Sequence, residues 1–289
     1  MKVNIRQYTV TGEDKVRISD FDTRGGSGLD KNEVTEKLMP ANIRKMADLQ
    51  ERLYAENRHA VLIVLQAMDA AGKDGTIRHV MTGLNPQGTQ VVSFKAPSSE
   101  ESDHDYLWRI ARALPRRGEI GIFNRSHYED VIVARVHDLV SRSQLPEELV
   151  GPDIWNQRYR QIRDFERYLE ENGITVVKIF LHVSKDEQRD RLLSRINEEE
   201  KNWKFSSGDI QERKYWDKYQ EAYEQLLNHT STPAAPWYVV PADRKWFARY
   251  LVSQIVLDTL EAINPRFPEL SAQERAVLAE CRRILEEDA

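Results

Sequence analysis

Apolar residues along this chain gather in five short runs, with stretches of helical spacing between them. Val61 to Leu65 is a continuous apolar run, the pattern of a strand buried on both faces. Gln90 to Phe94 alternates, Ile120 to Phe123 is a short run entered through Pro115 and Gly118, Ile174 to Val183 is long and β-branched, and Trp237 to Val240 is the last. Between them, Lys37 to Asn57 reads as a helix on Leu38, Met46, Leu49 and Leu53. The pair Ser98 and Glu101 forms a capping box predicting a helix with Leu107, Ile110, Ala111 and Leu114 inward, stopped by Pro115. Trp155, Tyr159, Ile162, Phe165 and Leu169 mark a helix closed at Gly173, and Trp246 to Ile263 marks another. Strands alternating with helices predict an α/β fold with a five-stranded parallel sheet. Residues 1–35 are polar, with Thr23 to Gly28 as a flexible stretch wrapping the surface, and 266–289 form a final helix. There Cys281 shares an apolar face with Val277, Leu278, Ile284 and Leu285, which predicts a packing role.

The first strand runs into Gln66-Ala-Met-Asp-Ala-Ala-Gly-Lys-Asp-Gly-Thr76, a turn of small residues and then a helix. Strand, small-residue loop, Gly-Lys and helix make up the context of a phosphate-binding P-loop. Backbone N–H groups of Ala70, Ala71, Gly72, Lys73, Asp74, Gly75 and Thr76 could hold phosphate oxygens, with the Lys73 ammonium on the transferring group. The usual pattern has Gly at the position of Ala67 and a hydroxyl at that of Asp74. The strand ending at Phe123 leads into Asn124-Arg-Ser-His-Tyr-Glu-Asp130. These polar residues emerge where open α/β sheets bind ligands. An Asp commonly helps hold Mg2+ there; Asn124 is a weaker ligand, which makes Asp69 the candidate.

Composition narrows the classes. The 289 residues are 40% hydrophobic and 31% charged, enough for one large domain. No apolar run is long enough to cross a membrane, the N-terminus lacks a secretion-signal pattern, and a single cysteine excludes an intrachain disulfide. The expectation is a cytoplasmic protein. Seven scattered histidines show no zinc spacing. A net charge of −5 argues against general nucleic-acid binding. Between 109 and 125, however, five arginines face one acid, so a polyanion could bind locally. A solvated helix face accounts for Arg109 and Arg112, and less well for Arg125, which follows a strand at the ligand-binding edge. From Lys185 to Lys204 six basic and six acidic residues balance, and a salt-bridged surface helix is one reading. The other is a mobile lid carrying Arg191 and Arg195, four apart on one helix face, over the phosphates.

These stretches, with Lys201-Asn-Trp-Lys204 and Ala235-Pro-Trp-Tyr-Val-Val-Pro-Ala-Asp-Arg-Lys245, resemble the family-2 polyphosphate kinases from about Met39 to Leu260. The resemblance implies a three-layer αβα P-loop kinase fold of thymidylate-kinase type, with residues 36–265 as the domain and a helical lid at about 185–215. It also implies reversible, Mg2+-dependent phosphoryl transfer between inorganic polyphosphate and a purine nucleotide, and, by family habit, a homo-oligomer. On this reading Lys73, Asp69, Arg125, Arg191 and Arg195 are catalytic, and Lys204 and Arg125 join the P-loop in binding phosphate. Lys95, Asn124 and Glu129 hold the nucleotide, and Asp69 and Glu129 hold the metal. Glu129, where diphosphate-preferring members tend to carry Asn, points to the subgroup acting on AMP as well as ADP. An ATP-dependent nucleoside monophosphate kinase, or a silent nucleotide-binding protein with Asn124 as its lesion, are the alternatives.

Overall fold

A computed structural model describes residues 3–288. Its six-stranded sheet has the order β1-β6-β5-β2-β4-β3, from β1 (Thr9–Val10), β2 (Ala60–Ala67), β3 (Thr89–Ser93), β4 (Ile120–Asn124), β5 (Ile174–His182) and β6 (Trp237–Pro241). The five expected strands are present and parallel. The expectation of a purely parallel sheet is corrected by β1, which pairs antiparallel with β6, Thr9 opposite Tyr238. Two residues carry no readable alternation, so the N-terminal segment gives no sign in its sequence that it extends the sheet.

The main helices are α1 (Met39–Glu56), α2 (Lys73–Val80), α3 (Ile154–Glu171), α4 (Lys185–Asn197), α5 (Trp216–Thr230), α6 (Lys245–Ile263) and α7 (Ala272–Glu287). Every residue of β2 is buried, so helices cover both faces of the sheet. α6 packs on α1 and α2, and α3 packs on α5 and β5. Helical backbone begins at Lys31 and passes a π turn, Val34–Leu38, before α1. Pro40, near the start of α1, has no N–H to donate, and the wider turn lies just before it.

Three local expectations are corrected. The Ser98–Glu101 capping box forms, with Ser98 N 2.7 Å from Glu101 Oε2, but its helix ends at Ser102 and a second begins at Trp108. The polar Asp103-His-Asp105 between them offers the core nothing to bury. Thr23 to Gly26 is not loose: Gly25 and Gly26, at φ +52° and +69°, sit where a Cβ would strike the rings of Phe247 and Trp246. Cys281 is exposed, and α7 has no buried residue, so its apolar stripe packs on nothing within the described chain.

Candidate active site

The P-loop leaves the carboxyl end of β2 and turns through Ala70, held at φ +59°, and Gly72, at φ +110°. Both are left-handed conformations, which cost a side chain and suit glycine. The turn points the start of α2 back at the sheet edge. The first helical bond runs from Thr76 N to Gly72 O at 2.9 Å, so the N–H groups of Lys73, Asp74 and Gly75 have no intrahelical acceptor. Such an array, at the positive end of the helix dipole, binds phosphate. The Lys73 ammonium folds back to donate to the Ala67 carbonyl at 2.9 Å and the Met68 carbonyl at 3.4 Å. Burial depresses its pKa, and Asp69 pulls the other way.

Arg125 follows β4 with φ +65°, a second non-glycine residue in the left-handed region. That backbone aims its guanidinium at Asp69 Oδ1, 2.9 Å away, and within 4.0 Å of Glu129 Oε2. Burial pushes the Glu129 pKa up, and Arg125 and Lys73 offset part of this. The Gln66 amide is satisfied with its nitrogen 2.8 Å from Glu129 Oε1 and its oxygen accepting from Ser126. Asn124 donates to Asp74 Oδ1 at 2.8 Å. A carboxylate, that of Asp74 on α2, thus lies beside the end of this strand. Asn124 Oδ1, buried, accepts nothing among the described residues.

Over this edge the 185–215 segment folds as α4, a turn of 3-10 helix (Glu199–Lys204) and a short helix (Ser207–Glu212). It encloses with the P-loop a cleft of about 500 Å³, lined by Asp69 through Thr76, Asn124, Arg125, Arg195 and Lys204. Arg191 does not lie free in this cleft. It is 8% exposed, and its Nη1 donates to the Ala70 and Ala71 carbonyls at 3.1 and 2.6 Å. Its Nη2 donates to the Ala242 carbonyl at 2.6 Å, and its Nε to Glu187 at 2.8 Å. Arg191 thus braces the P-loop against the end of β6. Arg195 is more open, paired with Asp209 at 2.8 Å. In all, eight cations and three carboxylates line the cleft. Lys201, Lys245 and Arg249 were not among the residues picked out as a site from sequence. Arg249 is close enough to the P-loop that a Cβ on Gly75 would lie 3.4 Å from its Nη2. Lys201 and Lys245 fell inside motifs already quoted for the resemblance, and Lys245 and Arg249 stand at a helix start beyond the last strand.

Two further hollows meet at the same arginine. One, of about 260 Å³, lies between Asp69, Glu129, Glu212, Tyr219 and Tyr223. The other, of about 300 Å³, is an apolar slot of Phe94, Ala96, Pro97, Leu139 and Val140, with Lys95, Arg109, Asp130 and Arg158 as its polar part. Lys95 is exposed, and its carbonyl accepts from Arg109 at 2.8 Å. Arg109 is therefore not on a solvated face. It is 8% exposed and stands over the Phe94 ring at 5.5 Å. Its cluster with Arg112, Arg116 and Arg117 hid this, since only the fold separates the inward arginine from the outward ones.

Among the described residues no three histidine, cysteine or acidic groups converge as a metal cage, and no helix is long and apolar enough to cross a membrane. The family description "Polyphosphate kinase 2" matches residues 28–268. The chain is 49% identical over 287 residues to an ADP-polyphosphate phosphotransferase of Rhodopseudomonas palustris, covering 99% of each. It is 48% identical to an AMP/ADP-polyphosphate phosphotransferase of Meiothermus ruber, covering 95% of this chain and 100% of that one. Among solved structures, polyphosphate kinase 2 from Arthrobacter aurescens superimposes with a TM-score of 0.78 at 40% identity, covering 94% of this chain and 99% of that one. Phosphate loop, basic cleft and sequence agree: this chain belongs to the polyphosphate kinase 2 family.

Proposed function

We propose that this protein transfers the terminal phosphoryl group of inorganic polyphosphate to AMP and ADP, reversibly. The observation that carries the reading is the place of Arg125, which lines the basic cleft, the acidic hollow and the apolar slot alike. A polyanion in the cleft and a nucleoside in the slot would bring their phosphates together at this guanidinium. With Arg191 set aside as a brace, seven cations against three carboxylates exceed what one triphosphate needs, and suit a longer chain of phosphates. Phe94, Pro97, Leu139 and Val140 offer a purine base apolar walls, with Lys95 at the rim.

The donor phosphoryl would rest on the N–H groups of Lys73, Asp74 and Gly75. The Lys73 ammonium would leave the Ala67 and Met68 carbonyls for a stronger, charged acceptor. The acceptor phosphate is itself the nucleophile, so alignment and charge suffice. Asp69 and Glu129 fit Mg2+, which takes oxygen ligands and keeps several from substrate and water, and the unpartnered Asn124 Oδ1 is a third oxygen at the same edge. Bound there, Mg2+ would neutralise charge on the phosphates. The 185–215 segment would act as a lid, with Arg195 and Lys204 exchanging protein partners for phosphate.

The relatives differ in printed acceptor, ADP for one and AMP/ADP for the other. Glu129 is the residue to test. A monophosphate is shorter, so a metal-bearing carboxylate at its phosphate helps it more than it helps ADP. Glu129→Asn should lower kcat/KM for AMP by about tenfold or more and leave ADP largely unaffected. Burial raises the Glu129 pKa, so in the metal-free protein its ionised form is lost as pH falls through a value above the ordinary 4.5, and Mg2+ bound there would oppose that loss. An equal fall for both acceptors would make Glu129 a general residue.

Arg195→Ala should raise KM for polyphosphate and flatten its dependence on salt, since one screened contact is gone. Arg191→Lys should instead lower kcat, because an ammonium cannot span the P-loop and β6 carbonyls together. Arg195→Ala matching wild type at every ionic strength would place that arginine outside the substrate path. The alternative, an ATP-dependent monophosphate kinase, is favoured by one feature: Trp203, 79% exposed at the cleft, could stack a donor base. Purified protein supplied with AMP, Mg2+ and either ATP or polyphosphate separates the readings. Turnover with polyphosphate is expected, and turnover with ATP alone would support the alternative.

A further inference from the structure

Asp243, just beyond β6, lies where three parts of the molecule meet. Its Oδ1 accepts from Ser184 N at 2.8 Å. Ser184 is the N-cap of α4, its own side chain accepting from Glu187 N. Asp243 Oδ2 accepts from Thr23 Oγ1 at 2.7 Å, and Asp243 N donates to the Thr23 carbonyl at 2.9 Å. The Asp243 carbonyl accepts from Arg191 Nη2 at 3.2 Å, the same guanidinium that braces Ala70 and Ala71. One residue thus joins the N-terminal strap, the origin of α4 and the brace of the P-loop.

The strap is built to hold this contact. Asp22 accepts from Arg24 N and Gly25 N at 2.9 Å each, folding a tight turn. Arg244 donates to the Gly25 carbonyl at 3.0 Å, and the glycines allow the turn to lie flat on Phe247. Thr23 touches neither the cleft nor the slot. A residue outside both hollows, held to Asp243 through its hydroxyl and its carbonyl alike, has the geometry of a latch.

We propose that Thr23 and Asp243 form a latch through which the N-terminal strap sets the position of α4, and of Arg191, relative to the P-loop. Asp243 is a positioning residue, acting on transfer through Ser184 and Arg191. Its effect on turnover rests on the function proposed above; the latch itself does not.

The test uses the full chain and Thr23→Val, which keeps the shape and deletes one hydroxyl. Without substrate, amide hydrogen exchange over 184–195 should quicken by about tenfold while the β2 and β5 amides stay as protected as in wild type. With polyphosphate and ADP, kcat should fall by about tenfold with KM for ADP unchanged, and Thr23→Ser should restore both readouts. Unchanged exchange over 184–195 would overturn the latch, whatever the kinetics. A lower melting temperature with wild-type kcat would overturn the positioning role and leave a merely structural contact. If wild type itself fails to use polyphosphate, the functional reading falls, and the exchange experiment still decides the latch.

Discussion

Lys73→Ala is expected to abolish transfer, by about a thousandfold or more in kcat, in a protein that stays folded. The lysine starts α2 and points its charge along the P-loop, where it faces the site of a phosphoryl group. In the free protein its partners are the Ala67 and Met68 carbonyls, so its loss costs stability of about 1–3 kcal/mol at most. Strand β2 beneath it is buried through its own apolar residues. Circular dichroism and a melting curve should therefore stay near wild type while turnover disappears. Lys73→Arg keeps the charge, and its larger head cannot settle on the same two carbonyls, so it should recover little. A folded Lys73→Ala protein with near-normal activity would remove the P-loop from the mechanism. The depressed pKa gives a second check: the charged form is lost as pH rises, so activity should decline below the ordinary lysine value of 10.5. Saturating polyphosphate should push that decline upward, because bound phosphate favours the ammonium.

The largest effect on stability is expected at Lys178, in the middle of β5 and fully buried. Its ammonium donates to Glu166 Oε2 and to the Thr230 carbonyl, each at 2.6 Å, and Tyr128 donates to Glu166 Oε1 at 2.6 Å. Lys178→Ala leaves the Glu166 carboxylate buried without its cation, a loss of about 3–5 kcal/mol. Lys178→Met combined with Glu166→Gln removes both charges and should recover much of that loss. Burial raises the Glu166 pKa, and Lys178 and His127 together lower it by more, for a net value below the ordinary 4.5. The stabilisation from Glu166 is thus present above that ordinary value and is lost as pH falls through the folded one. Denaturant titrations of the three proteins at neutral pH measure the difference. A single mutant as stable as the double would mean that the ion pair does not hold these elements together. Tyr128 is the neighbour of Glu129, so the same network ties the core to the acceptor side of the site.

What was legible in the sequence had a period or a motif. β2 is apolar but for Gln66 and β5 is largely so, and each was placed to within two residues. The P-loop was found because glycine, lysine and strand context coincide there, and the Asn124 to Asp130 turn because polar residues follow a short apolar strand. What was missed depends on the fold rather than on local pattern. β1 is too short to alternate. Arg109 and Arg112 look alike in the chain, and only packing buries the first. Arg191 and Arg195 share a helix face, yet Arg191 meets four carbonyls and Arg195 meets Asp209. Lys178, in the middle of a largely apolar strand, and Glu166, on the helix face it shares with Ile162 and Leu169, carried a signal that was passed over: a buried charge needs a partner.

The central claim is that donor and acceptor phosphates meet at Arg125, one from the basic cleft and the other from the apolar slot. A crystal structure with AMP and a methylene-bridged, non-hydrolysable polyphosphate tests it directly. The analogue is expected in the cleft, with its terminal phosphorus at Lys73 and Arg125. The AMP base is expected between Phe94 and Leu139, with its phosphate oxygen about 3–3.5 Å from that phosphorus. AMP seated on the P-loop, or an analogue bound away from Lys73, would contradict the account.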